Sequence, residues 1–187
     1  MKNKKLLFVA IILFATIPAF GQKGLFYESG VRLQNDADNR FSISKDWQGG
    51  FGIYAGIGKE FDLLSWLSCS PIATVSHIWS KSTGYRGGSA PTKSVVDIRV
   101  ELPVNLKIPL KNEGRYFSVG IGPFVNYALW DKRNDIKLLY AGAVVRLSGD
   151  VSDTMFVSAD INFGLRNRYK NQDTFTSSVS VGLGWKF

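Results

Sequence analysis

The chain has 187 residues and a formal charge of +8, with 23 Lys and Arg residues against 15 Asp and Glu residues. Its length fits a single domain. A single cysteine, Cys69, excludes an intrachain disulfide and a metal cluster built from several cysteines. With one histidine, His77, and no carboxylate cluster at loop spacing, we expect no metal site and no cofactor.

The first residues predict a secretory signal peptide. Three lysines within the first five positions precede an apolar run over 6–17, and small residues follow. A positive start, a short apolar stretch and small residues before the cleavage position are typical of such a signal. The run is also shorter than the roughly 20 residues that a helix needs to span a bilayer. We therefore expect residues 1–21 to be removed, which leaves one exported domain over 22–187, and nucleic acid is not an expected partner.

The remainder of the chain alternates apolar and polar residues with a period of two. The clearest stretch is 94–108, where every second residue is apolar while Asp97, Arg99 and Glu101 lie between them. Successive side chains of a strand point to opposite faces, so this pattern predicts a long two-faced strand. Pro71 interrupts the third strand, whose phase is ambiguous. The same pattern predicts eight strands in chain order: 25–34, 49–61, 67–80, 94–108, 115–129, 137–147, 154–166 and 174–187.

The connections between these strands alternate in length. The short ones lie at 61–66, 109–114 and 148–153, and the longer ones lie at 35–46, 81–93, 130–136 and 167–173. An even number of strands with short turns at one end and longer loops at the other is typical of outer-membrane barrels. The predicted fold is therefore all-β, an eight-stranded antiparallel up-and-down transmembrane β-barrel.

The direction of the apolar face needs separate evidence, because a soluble barrel also alternates but turns its apolar face inward. Glycines share the polar face, and in the narrow interior of eight strands they make room for larger neighbours. Aromatic residues gather near both strand ends, as expected at two membrane interfaces. We therefore predict an outward apolar face and a lumen charge network of mixed sign, formed by Glu28, Arg32, Asp97, Arg99, Glu101, Arg146, Asp160 and Arg166.

The last residues carry a family resemblance. Ser180, Gly182, Trp185 and Phe187 fit the sorting signal of bacterial outer-membrane barrels, which is a polar residue, any, Gly, any two, aromatic, any, and a final aromatic. Together with the signal peptide and the strands, this ending resembles the small outer-membrane barrels that include OmpX, the OmpA membrane domain and the PorT-like barrels. The resemblance implies insertion by the barrel assembly machinery, with both termini in the periplasm and the long loops outside the cell.

The leading functional hypothesis is a structural or interaction barrel. The loop at 81–93 carries Lys81, Arg86 and Lys93 and no acidic residue. Such a basic patch suits contact with lipopolysaccharide phosphates. Together with the loop at 35–46, it would contact lipopolysaccharide or partner proteins, and the barrel would serve as an accessory subunit of an envelope complex.

Two alternatives stay open. The lumen charges could line a narrow pore, although eight strands leave room for side chains rather than for a wide channel. A lipid A-modifying enzyme would have to use His77 as a base for a serine. In the local sequence VSHIWSKS, Trp79 occupies the second position after the histidine, and the adjacent Ser76 would face the opposite way. We therefore expect no catalytic residue, and the sequence does not fix the direction of His77 or Cys69.

Overall fold

The computed structural model describes residues 24–37, 49–81, 92–111, 114–131, 139–165 and 175–187. The predicted signal peptide lies outside the described residues, and so does most of each of the four longer connections. Within the described ranges, no helix has the length and apolar character required to cross a membrane.

Eight barrel strands follow one another along the chain, and two of their prolines divide strands into shorter ladders. The strands are β1 (Leu25–Ala37), β2 (Gly49–Lys59, continuing as Phe61–Leu64), β3 (Leu67–Cys69 and Ile72–Lys81), β4 (Thr92–Glu101 and Val104–Pro109), β5 (Tyr116–Asp131), β6 (Leu139–Asp150), β7 (Met155–Gly164) and β8 (Phe175–Lys186).

The sheet closes on itself. Each strand pairs antiparallel with the next strand in the chain, and β8 pairs antiparallel with β1. The stagger of the closed sheet follows from the pairing. If one starts at Phe26 and moves from each residue to its partner on the next strand, with the β7–β8 register extended by one residue, the path returns to β1 at Asp36, ten residues further along. For eight strands, this stagger corresponds to a strand tilt of about 40° from the barrel axis. The predicted eight-stranded antiparallel barrel is therefore confirmed.

The two ends of the barrel differ in their connections. The short turns and both described chain ends lie at one end, which we call the turn end, and the longer connections lie at the other, the loop end. The sequence predicted the first short connection at 61–66, but the ladder continues with Phe61 opposite Cys69 and Asp62 opposite Ser68. The sequence predicts Asp62 to be a loop residue, but its carboxylate accepts a hydrogen bond of 2.6 Å from Lys107 of β4. This contact adds to the backbone pairing of Leu67–Cys69 with β4, which joins the extended hairpin to the barrel.

The structure resolves the ambiguous phase of β3. Ser70, Ile72, Thr74 and Ser76 are all buried, so the alternation passes through the interruption at Pro71 without a shift. The residues between them face outward, as the greater exposure of Val75 shows. By the same alternation, His77 and Cys69 lie on the outer surface of the barrel.

Prolines on three adjacent strands explain the interruptions of the ladders. Pro71, Pro103 and Pro123 lie on β3, β4 and β5, and none of them has a backbone N–H to donate. Their carbonyl oxygens still accept, at 3.0–3.1 Å, from the backbone N–H groups of Lys59, Ser70 and Leu102, respectively. The sheet therefore stays continuous across the three prolines, although the regular pairing is interrupted there.

Candidate functional site: a filled lumen inside an apolar belt

The first group of charged residues in the lumen is the Arg146 cluster, which comprises Glu28, Arg146, Ser158 and Asp160. Arg146 lies directly opposite Asp160 in the β6–β7 register and donates to its carboxylate at 3.2 Å. It also donates across the lumen to the carboxylate of Glu28 on β1, which accepts a further bond of 3.4 Å from the Ser158 hydroxyl. All four side chains are buried. One guanidinium group therefore neutralises carboxylates from two strands.

The second group is the Arg32–Arg99 cluster, in which neutral groups supply most of the arginine contacts. Arg32 donates to the hydroxyl groups of Ser180 at 2.9 Å and Ser76 at 3.1 Å. Ser76 in turn donates to the carboxylate of Asp97. The positive and negative charges are thus linked through a hydroxyl group.

Arg99 completes the Arg32–Arg99 cluster from β4. It donates to the Asn126 side-chain oxygen at 3.3 Å and contacts the Glu101 carboxylate and the Tyr140 hydroxyl at 3.5 Å. Arg99, Glu101 and Asn126 are each no more than 1 % exposed. The structure therefore places seven members of the predicted lumen charge network inside the barrel, while Arg166 lies outside the described residues.

Aromatic side chains fill the lumen beside these charges. From the alternation of the sequence we predicted tyrosines on this face, but not the phenylalanines. The guanidinium carbon of Arg32 lies 5.0 Å from the ring centroid of Tyr54, and that of Arg99 lies 4.7 Å from the centroid of Phe124. Phe26 and Phe156 form an edge-to-face pair with centroids 5.4 Å apart. The inward position of these rings can be recognised in the sequence, because along each strand they alternate with the outward apolar residues. They exclude water around the charges and so strengthen the ion pairs.

A pocket of about 120 Å³ opens the lumen at the turn end. Its rim carries paired charges: Lys186 donates to Asp150 at 2.5 Å, and Lys107 lies 3.2 Å from Glu60. Arg146 forms part of the pocket wall. The pocket therefore extends inward as far as the Arg146 cluster, where the packed side chains begin.

The outer surface of the described strands is predominantly apolar along its whole length. At the turn end, Tyr27 stacks on Trp185 with ring centroids 4.8 Å apart and contacts Phe187 at 5.9 Å. At the loop end, the exposed Phe51 and Trp79 lie opposite each other on β2 and β3. Exposed Val, Ile and Leu residues cover the surface between these rings, including Val31, Ile53, Val75, Val100, Ile121, Val125, Val157, Ile161, Val179 and Val181.

A polar pair interrupts this apolar surface near the loop end. His77 Nε2 and the Ser94 hydroxyl oxygen are 2.6 Å apart and share a hydrogen bond across β3 and β4. The His77 ring also contacts the Trp79 ring, with centroids 4.2 Å apart. The sequence offered the adjacent Ser76 as a candidate partner but not Ser94, because a diagonal contact between neighbouring strands depends on their register.

The predicted assembly residues divide between the two faces of β8. The Ser180 hydroxyl accepts the bond from Arg32 and Gly182 is buried in the lumen, while Trp185 and the exposed Phe187 belong to the outer ring at the turn end. A Cβ atom at Gly182 would overlap the Tyr54 hydroxyl, so this glycine makes room for the ring.

The predicted basic patch lies at the edge of what the structure describes. The backbone register sets Lys81 opposite Thr92 and Lys93 opposite Ser80, at the loop end of β3 and β4. Arg86 lies outside the described residues.

Comparisons with known proteins identify the architecture. No protein-family model matches the chain, and no curated protein matches it. Among solved structures, the chain is similar to Ail, the attachment invasion locus protein of Yersinia pestis, with 12% identity, a TM-score of 0.52, and coverage of 88% of this chain and 99% of Ail. It is also similar to Neisserial surface protein A, with 12% identity, a TM-score of 0.54, and coverage of 89% and 99%. Ail has also been solved with the heparin analogue sucrose octasulfate.

At this level of identity the similarity concerns the fold. The closed barrel, the buried charges and the apolar outer surface together define the fold as that of the small eight-stranded transmembrane barrels of bacterial outer membranes.

Proposed function

We propose that this protein is an outer-membrane interaction barrel, which contacts lipopolysaccharide or partner proteins through its loop end. The observation that carries the proposal is the filled lumen. Because Arg32, Arg99 and Arg146 and their partners occupy the interior, the barrel serves as a membrane anchor rather than as a wide conduit. The remaining surface for recognition lies at the loop end, where Lys81, Arg86 and Lys93 supply positive charge. Binding of an anionic saccharide analogue by Ail, a barrel of the same fold, supports this use of the fold.

Charge reversal at the loop end tests this proposal. We expect the double variant Lys81→Glu, Arg86→Glu to bind lipopolysaccharide about tenfold more weakly at low salt, because it replaces attraction to phosphates with repulsion. The matched control is Lys111→Glu, Arg115→Glu, which changes the same residue types at the turn end. Retention of lipopolysaccharide on the immobilised, detergent-solubilised protein measures the effect. Equal binding by the two variants would contradict a role for the basic loop in lipopolysaccharide contact.

Partner proteins require a separate measurement. An accessory subunit of an envelope complex would elute from mild-detergent extracts at a mass above that of the lone barrel. Crosslinking before extraction and mass spectrometry of the crosslinked species identify the partner. A lone monomer under both conditions would count against the subunit hypothesis.

The narrow pore is the rival function that the lumen charges suggest. Recordings from planar bilayers distinguish the two, because a lumen closed by the Arg146 and Arg32–Arg99 clusters yields no discrete conductance steps. Steps in the wild type that change amplitude in Arg99→Met would favour the pore.

The proposed orientation sets the turn end in the periplasm and makes the C-terminal segment the handle for the barrel assembly machinery. We expect Phe187→Ala to lower the amount of folded barrel in the membrane several-fold, while Phe51→Ala, which removes an exposed ring at the loop end, has a smaller effect. Heat-modifiable migration on gels measures the folded fraction. Normal levels of Phe187→Ala would contradict the handle.

A further inference from the structure

His77 and Ser94 form a hydrogen-bonded polar pair on the outer surface, which faces the region that lipid would occupy. Both side chains are half-buried, and the hydrogen bond between His77 Nε2 and the Ser94 hydroxyl oxygen is 2.6 Å long. Their neighbours on the same face, Val75 and Val96, are apolar. Polar groups exposed to hydrocarbon are unfavourable unless they find a partner. The bond between His77 and Ser94 uses one donor and one acceptor, and the remaining hydrogen-bonding capacity of the pair suits a polar ligand at this position.

The shared hydrogen bond determines what kind of ligand fits. If the His77 ring donates from Nε2, the Ser94 hydroxyl hydrogen is left to donate elsewhere. If Ser94 donates instead, the ring carries its hydrogen on Nδ1, which then becomes the free donor. Either arrangement of the neutral pair presents one further donor, and a protonated ring presents two. A ligand with acceptor oxygens, and above all an anion, complements the pair.

The position along the barrel selects the source of that ligand. Ser94 lies directly opposite Trp79, which in turn lies opposite Phe51, so the pair is level with the aromatic residues at the loop end. Aromatic belts mark the level of the lipid headgroups. The His77 ring also contacts the Trp79 ring, with centroids 4.2 Å apart, which restricts its orientation.

We propose that His77 and Ser94 bind a phosphate group of an outer-leaflet lipid, with Trp79 as the flanking aromatic surface. The site docks a lipid molecule against the outer wall of β3 and β4, below the loop that carries the basic patch. The proposal rests on the interaction function above, and it assigns that function a specific lipid group and specific side chains.

Native mass spectrometry of the full barrel with a bisphosphorylated lipid A tests the site. We expect the double variant His77→Phe, Ser94→Ala to bind this lipid about tenfold more weakly than the wild type. The matched control is Tyr127→Phe, which removes one hydroxyl group from an outward ring on β5 near the same end. This control should bind as the wild type does. Heat-modifiable migration establishes that each variant is folded.

Two further probes identify the ligand group. Lipid A without phosphates should bind the wild type and the double variant equally weakly, whereas a persisting difference would overturn the phosphate in favour of another lipid oxygen. Excess inorganic phosphate should leave the lipid bound, and displacement would overturn the lipid as the source. Equal binding of phosphorylated lipid A by wild type and double variant would overturn the site altogether. If the wild type released fatty acid from the lipid and His77→Phe did not, the site would hydrolyse the lipid, and the binding proposal would be overturned.

The outcome separates this site from the proposed loop contact. If His77→Phe, Ser94→Ala weakens binding while Lys81→Glu, Arg86→Glu does not, the site stands and the loop contact is wrong. The opposite result removes the site and leaves the proposed function intact.

Discussion

The two charged clusters of the lumen neutralise arginine in different ways. Arg146 contacts the carboxylates of Asp160 and Glu28 directly, from the adjacent strand and from across the lumen. Arg32 contacts the hydroxyl groups of Ser180 and Ser76. In both clusters the charge is fully buried, and in the Arg146 cluster one guanidinium group donates directly to two carboxylates.

This difference determines how each cluster should respond to mutation. Removing one partner of a buried ion pair leaves an uncompensated charge, which destabilises more than the intact pair stabilises. Removing Arg32 leaves two hydroxyl groups that are less costly to bury than a carboxylate, and Arg99 remains as a cation near Asp97 and Glu101. The Arg146 cluster is therefore expected to be the more sensitive part of the barrel.

The largest effect is expected for Arg146→Met, which leaves Glu28 and Asp160 without their shared cation. We expect the free energy of unfolding to fall by about 4 kcal/mol. Urea unfolding in phospholipid vesicles, followed by tryptophan fluorescence, measures the loss. Adding Glu28→Gln and Asp160→Asn to the same chain should restore most of the stability. A single variant as stable as the wild type would show that the ion pairs are weak.

Arg32→Met makes the same chemical change in the other cluster and should have a smaller effect. We expect a loss of about 2 kcal/mol, because bonds from the guanidinium to Ser180 and Ser76 disappear while Ser76 keeps its bond to Asp97. The comparison with Arg146→Met under identical conditions is the test. A loss equal to or greater than that of Arg146→Met would contradict the distinction between the clusters.

Ser76→Ala should have the smallest effect of the three. It removes the hydroxyl group that links Arg32 to Asp97, and we expect a loss of about 1 kcal/mol. Ser29→Ala, on the exposed outer face of β1, is the matched control and should leave the stability unchanged in the same urea titration. Equal stability of both variants would show that the link through Ser76 contributes little.

The period of two was sufficient to predict the strands and the charged residues of the lumen. Asp97, Arg99 and Glu101 alternate with apolar neighbours, so the sequence alone assigns them to one face. Closure of the barrel then turns that face inward. The aromatic residues at both ends indicated which face meets lipid.

The contacts within the lumen could not be predicted, because they depend on register and stagger. Glu28 and Arg146 are separated by 118 residues, and they meet across the lumen only because of the closed, staggered arrangement. The His77–Ser94 pair likewise requires the register of β3 against β4. Phe124 could have been assigned to the lumen, since it is in phase with Asn126, but its contact with Arg99 required the structure.

The pairing of β1 with β8 brings the first and last described residues of the barrel together. The backbone N–H of Phe187 donates to the carbonyl oxygen of Leu25 at 2.9 Å. A short linker between residues 187 and 24, with a new opening at the Ser65–Trp66 turn, would give a circular permutant that retains every strand pairing. Phe187 would keep its ring contact with Tyr27 but would no longer be terminal. In such a chain, Phe187 keeps its packing role but loses any role as a terminal signal. A point mutation of Phe187 would change both roles at once.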